Sequence, residues 1–461
     1  MSALQSFVNI FNVPDLRKRV VFTFLVLAVY RLGALIPTPG VDPAALHEFF
    51  RSTAGGPLGF LDIFSGGALR RLSVFALGIM PYISASIILQ LLTVVWPYLE
   101  KLSKEGEMGR KKITQYTRYG TVLLSLIQSA GIAVWLEKQQ QGATKLVPHG
   151  GLGFLLMTVM TLTTGTIFIM WLGEQITERG IGNGISLIIF AGIVVRLPAA
   201  ITGLFQLIRT GNLSILTLIF VLAFMTGIVA LIVFVERAQR RIPVQYAKRV
   251  VGRRVYGGQN TYLPLRINTG GVIPIIFAIS ILQIPYYLST VVGADWMKKV
   301  AESLRQGQPL YVLIYGVGIV FFCYFYTSII FNPSDTADNM RKYGGFIPGI
   351  RPGRKTADYI DTVLSRLTIV GAVYLTFVAL LPEFLSSGFK VQSIPWIGPA
   401  LYNVLPQFVS QGFGFNFYFG GTSLLIVVGV AMDTVQQIES KLVEHHYTGF
   451  LKKSRVRGRR Y

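Results

Sequence analysis

Apolar runs of about twenty residues recur along the whole of this 461-residue chain, the length a helix needs to cross a hydrocarbon layer roughly 30 Å thick. They stand near residues 20–36, 73–95, 119–136, 152–173, 184–206, 214–235, 271–290, 310–331, 367–382 and 413–432, ten in all. Within lipid every backbone N–H and C=O must be satisfied inside the protein, which leaves helices or closed barrels. Strand-length alternation of apolar and polar residues is absent from the runs, so an all-α polytopic membrane protein of ten transmembrane helices is expected. Composition agrees: 52% of residues are hydrophobic and 14% charged, against about 25% charged in soluble domains.

The net charge of +22 would suggest nucleic acid as the partner of a soluble protein, but the basic residues lie between the apolar runs. An even number of spans puts both termini on one side. With the termini inside, 31 of the 43 Lys and Arg residues fall in inner segments, which predicts cytoplasmic termini. They concentrate in loops 236–270 and 332–366 and in a basic tail, 434–461. A central Lys, Arg or Asp costs roughly 2.5–3.5 kcal/mol on insertion scales, and few charges intrude. The exceptions are Arg31 and Arg196, each near the outer end of its span, where snorkelling to the headgroups is expected.

Arg17, Lys18 and Arg19 precede an apolar run that ends at Pro37, Pro39 and Gly40 without a small-residue cleavage pattern, so a retained first span is expected rather than a signal peptide. Cys323 stands alone in an apolar run, which rules out an intrachain disulfide, and the four histidines give no zinc spacing. Residues 59–73, GFLDIFSGGALRRLS, are moderately apolar but too short to cross and are interrupted by Gly66 and Gly67. A short re-entrant helix is expected there, with an external loop helix as the alternative.

Enzyme signatures are missing: there is no GxxxxGK[ST] loop, no HExxH and no GxSxG elbow. The string RGIGNG at 179–184 has the glycines of a nucleotide loop but runs straight into an apolar span, as a tight turn entering a helix would. No cofactor, metal or catalytic residue is expected. Any work done on a substrate must be powered by another protein.

The segments ALGIMPYISASIILQLLTVVWP (76–97), RGIGNGISLIIFAGIV (179–194), VFVERAQRRIPVQYAKR (233–249), GVIPIIFA (271–278), GGFIPGIRPGRKTADYID (344–361) and FGGTSLLIVVGVAMD (419–433) resemble those of the bacterial SecY family, in order and from end to end. The resemblance implies a protein-conducting channel, an hourglass pore between two inverted five-helix halves, here 1–206 and 207–461. Its waist should be Ile79, Ile83, Ile185, Ile189, Ile276 and Ile426. Two pairs are spaced i,i+4 and share a helix face, and branched apolar side chains make a narrow constriction that repels water without holding a passing chain. The re-entrant segment matches the plug: Gly59, Phe60, Leu61, Asp62, Ile63, Phe64, Ser65, Gly66, Gly67, Ala68 and Leu69.

The resemblance further implies a lateral gate between the second and third spans and the seventh and eighth, with polar Ser84, Ser86, Gln90 and Gln283 along the seam. Arg241 and Arg351, beside Arg240 and Arg354, should dock the ribosome and the SecA motor, and SecE and SecG small membrane subunits, signal sequences and lipid are the other implied partners. A secondary transporter would share the span count and basic inner face. It requires a strongly polar site at the bilayer midplane, which these spans do not supply. A selective ion channel would require a filter or acidic ring, also missing.

Overall fold

The computed structural model describes residues 13–52, 62, 65–138, 140–141, 144–210, 215–246, 249–251, 254–256, 260–292, 295–304, 308–387 and 421–453. They form two compact units, one of 1–210, 284–301 and 430–461, the other of 211–283 and 302–429. Among the described residues six helices are long and apolar enough to cross a membrane, seven if one bent pair is a single span. The chain is a mostly helical, multi-pass membrane protein.

In the first unit, α1 (Pro14–Gly33), α2 (Pro43–Ser52), α3 (Met80–Val95), α4 (Pro97–Lys104), α5 (Glu107–Lys138), the short pair β1 (Gln140–Gln141) and β2 (Thr144–Lys145), α6 (Leu152–Arg179), α7 (Gly184–Val194) and α8 (Leu197–Arg209) follow in order. Helix α3 packs on α5, α5 on α6, and α6 on α7 and α1. In lipid such contacts depend on close approach and polar pairs rather than on the hydrophobic effect. A Cβ on Gly165 of α6 would overlap the Val74 carbonyl, and one on Gly184 of α7 the Gly173 carbonyl. Between α5 and α6 the buried hydroxyls of Ser129 and Thr163 pair at 3.3 Å.

One expected span differs from the sequence reading, and a second carries a local irregularity. The run 73–95 is helical only from Met80, because the left-handed Gly66, Gly67, Leu72 and Gly78 keep the preceding chain in turns, and Pro81 starts the helix. The run 184–206 remains one span over Gly184–Gly203, with a local irregularity at Val195 and Arg196 where Pro198 opens α8. Helix α4 bends 99° from α3 at the Trp96–Pro97 junction and turns its charged face outward.

The second unit begins with α9 (Ile215–Arg237), then β3 (Gln239–Tyr246), β4 (Arg249–Val251), β5 (Arg254–Tyr256), β6 (Asn260–Arg266) and α10 (Ile273–Val292), which passes into the first unit. After α11 (Asp295–Ser303) come α12 (Pro309–Ile330), α13 (Pro333–Lys342), β7 (Gly345–Phe346), α14 (Arg354–Ser387) and α15 (Gly421–Lys453), whose residues from Val430 belong to the first unit. Helices α12 and α14 pack together, and buried Tyr315 and Thr422 share a hydroxyl contact of 3.2 Å. The α9–α10 connection is closed by Asn268, which donates to Glu236 at 2.7 Å and to the Gly271 carbonyl at 3.1 Å.

The sheet in this unit was not foreseen. Strand β3 pairs antiparallel with β6 along its length and with β7 at its far end, giving the order β6-β3-β7. Ile242 and Val244 alternate inward along β3 and bury with Leu265, Met340, Ile347 and Ile360. Loops 236–270 and 332–366 therefore share one small folded body with its own core.

Candidate functional site

Ile79 is the N-cap residue of α3, and Ile83 lies one turn later, its N–H donating to the Ile79 carbonyl at 3.1 Å. Both are buried. On α7, Asn183 caps the helix by accepting the Ile185 N–H at 3.1 Å, which fixes where Ile185 and Ile189 fall. Ile189 is buried, and Ile185 is half-buried against Gly173, where a Cβ would stand 3.2 Å from its Cγ1. These four residues belong to the first unit. In the second, Ile276 on α10 is half-buried and Ile426 on α15 is buried. All six are set apart from the exposed apolar side chains of the spans, such as Leu216 and Phe234, 78% and 73% accessible.

Ser84, Ser86 and Gln90 are half-buried on α3, and the Gln90 side-chain oxygen is buried with no partner among the described residues. Gln283 lies in α10, with its side chain outside the described ones.

Of the expected plug, Gly59, Phe60, Leu61, Ile63 and Phe64 lie outside the described residues, whereas Asp62 and Ser65 to Leu69 lie within them. Gly66 and Gly67 have φ of 64° and 89°, the left-handed region. Gly66 rests on α7, where a Cβ would stand 2.8 Å from the Gly192 Cα. The Tyr30 hydroxyl donates to the Ser65 carbonyl at 3.4 Å and Arg31 to the Gly66 carbonyl at 3.2 Å. The Asp62 carboxylate is wholly buried: it accepts the Arg70 N–H at 3.1 Å, the Arg70 Nε at 2.8 Å and the Arg196 Nη2. The snorkelling expected of Arg31 and Arg196 is thus replaced by bonds inside the protein, because a buried acceptor lies within reach of both. The signal in the sequence was Asp62, a lone carboxylate in a weakly apolar segment; nothing local paired it with a residue 134 positions away.

Arg240 and Arg241 are exposed on β3, opposite Leu265 and Pro264 of β6. Arg351, exposed, precedes α14, and Arg354, also exposed, begins it; the Thr356 hydroxyl donates to the Arg351 carbonyl at 2.8 Å. The β3–β7 pairing brings these two arginine pairs, 110 residues apart between Arg241 and Arg351, onto the same folded body.

The turn RGIGNG is a helix entry. The Ile181 N–H donates to Thr23 at 3.1 Å, the Gly182 N–H to Gln437 at 3.0 Å and the Gly184 N–H to Thr177 at 2.9 Å. A phosphate cradle requires such N–H groups to be free. Among the described residues no group of three or more His, Cys, Asp or Glu is placed to hold a metal.

The SecY family model matches residues 73–435. A protein translocase subunit SecY of Escherichia coli (strain K12) is 50% identical over 448 residues, 96% of each chain. Two solved structures share the fold at lower identity. One, of a SecY whose plug domain is described as stabilising the closed state of the translocation channel and maintaining a membrane seal, has a TM-score of 0.63 at 17% identity, over 93% of this chain and 92% of that one. The other, Sec61 in the canine ribosome-channel complex from the endoplasmic reticulum, has 0.57 at 16% identity over 93% of both. With a family match across most of its length and half its residues shared with a full-length relative, this chain belongs to the SecY family.

Proposed function

We infer that this chain is the central subunit of a protein-conducting channel, passing unfolded secretory polypeptides across the plasma membrane and releasing membrane-protein helices sideways into lipid. The observation that carries the inference is the half-identity to a translocase subunit over nearly the whole of both chains. It is not an enzyme; SecA or the ribosome supplies the driving force.

In this reading Ile79, Ile83, Ile185, Ile189, Ile276 and Ile426 form the waist. Their branched side chains offer no hydrogen bond, so a moving chain is not retained, while an ion would surrender its hydration for nothing in return. The segment 59–69 seals the waist from outside. A signal sequence entering from the cytoplasm parts the seam at Ser84, Ser86, Gln90 and Gln283, where hydroxyl and amide groups can exchange partners as the helices separate. Arg240, Arg241, Arg351 and Arg354 project from the β6-β3-β7 body as a basic platform for ribosomal phosphates or acidic faces of SecA. SecE, SecG and the surrounding lipid cover the outer apolar faces. Both termini are cytoplasmic, on the side of the basic loops.

Replacement of three or more waist isoleucines by glycine or serine in reconstituted vesicles tests the reading. Raised ion leakage and acceptance of weakened signal sequences are expected; unchanged leakage and unchanged signal selectivity would overturn the waist.

A further inference from the structure

We propose that Arg196, through Asp62, is a positioning residue that latches the plug segment shut and so sets how strong a signal sequence must be to open the channel. This rests on the channel reading above and adds a device to it. The Asp62 carboxylate has no exposed surface, and the guanidinium of Arg196 reaches it from the break between α7 and α8. Helix α7 carries Ile185 and Ile189, so the contact joins the plug segment to a wall of the expected waist.

Two of the surrounding cations do different jobs. Arg70 is eight residues from Asp62 in the same segment and donates to it from both its main-chain N–H and its side chain. It moves with Asp62 when the segment moves and keeps the carboxylate paired on the way. Arg196 belongs to the wall, its side chain is 18% accessible, and it is the partner that displacement removes. Arg31, from α1, holds the Gly66 carbonyl. A greasy plug has no preferred register, because apolar contact is non-directional. A charge pair out of water is directional, and it is favourable only when complete. Resting on Gly192 through Gly66, with a charged bond beside it, the segment has one closed position and yields when an entering helix shifts α7.

The test uses the whole channel complex, purified and reconstituted, with Asp62→Asn, Arg196→Gln, the double variant and Arg196→Lys, and with Arg71→Gln as a neighbouring control. Resting ion leak is measured together with translocation of two reporters, one with an intact and one with a weakened signal sequence. Asp62→Asn and Arg196→Gln are each expected to raise weak-signal translocation roughly tenfold or more, with a matching rise in leak, while intact-signal translocation stays at the parent rate. The double variant should not exceed the stronger single one, because one bond is being removed twice. Arg196→Lys and Arg71→Gln should stay near the parent. Parent-like leak and selectivity in Asp62→Asn, or single effects that multiply in the double variant, would overturn the latch. Should Asp62→Asn fail to accumulate, the Arg196 pair decides: lysine as leaky as glutamine would show that charge at this position does not matter. Failure of the parent complex to pass the intact-signal reporter counts against the channel itself, whereas passage unaffected by any variant counts against the latch alone.

Discussion

Alanine at Gly66 and alanine at Gly67 differ in one physical term. Both positions have left-handed φ, 64° and 89°, a conformation that costs a residue with a Cβ about 1–2 kcal/mol. At Gly67 nothing lies within 4 Å of the added carbon, so that backbone cost is the whole effect. At Gly66 the added carbon meets the Gly192 Cα at 2.8 Å and the Gly192 carbonyl oxygen at 3.2 Å, and helix backbone cannot rotate away as a side chain can. Overpacking of this kind costs a further 1–3 kcal/mol or so. The difference between the two variants corresponds to roughly 5- to 150-fold in the closed-to-open ratio of the segment. Resting conductance of reconstituted vesicles reads that ratio directly, with expression level and intact-signal translocation as folding controls. Gly66→Ala should leak clearly more than Gly67→Ala. Equal leak, or the reverse order, would refute the seating of this segment on α7.

Ile242→Ala should empty part of the small core under the β6-β3-β7 sheet at a cost of about 2–5 kcal/mol, seen as faster proteolysis of loop 236–270 and weaker SecA or ribosome binding, with the membrane helices intact. Thr23→Val removes the acceptor of the Ile181 N–H and leaves that buried donor unpaired, which should cost about 1–3 kcal/mol and lower the thermal midpoint of the purified complex. Gly165→Ala drives a carbon into the Val74 carbonyl and should reduce accumulation in the membrane, whereas Gly227→Ala, with nothing within 4 Å, should be neutral or slightly stabilising. Lys104→Ala, which breaks an exposed pair with Glu100 one helical turn away, should leave stability and transport unchanged.

The helices were legible because lipid imposes a single rule, a long apolar run, which α6, α9 and α12 obey. Their ends were less legible. Helices α5 and α14 continue beyond the apolar runs into polar residues, Glu107 to Arg118 and Arg354 to Arg366, where hydropathy carries no signal but helix propensity persists. Conversely, the apolar 73–79 is not helix, because Gly78 and the left-handed residues before it override hydropathy. The sheet in the basic loops was visible only as Ile242, Val244 and Leu265 set among polar residues and prolines, too short and too interrupted by Pro243 and Pro264 to stand out from a loop. The Asp62–Arg196 pair was beyond reach for a different reason: a contact across 134 residues is a product of tertiary packing, and each residue alone has an ordinary local explanation. Asn183 as a helix entry was readable, since an Asn before an apolar run is a cap by its own chemistry.

Site-specific crosslinking of a secretory chain stalled in transit tests the channel most directly. With a photoreactive residue at position 79, 189, 276 or 426, adducts to the stalled chain are expected at all four positions, while a probe at the exposed Phe234 should capture lipid or a neighbouring subunit. Adducts at Phe234 with none at the four isoleucine positions would contradict a path through the waist.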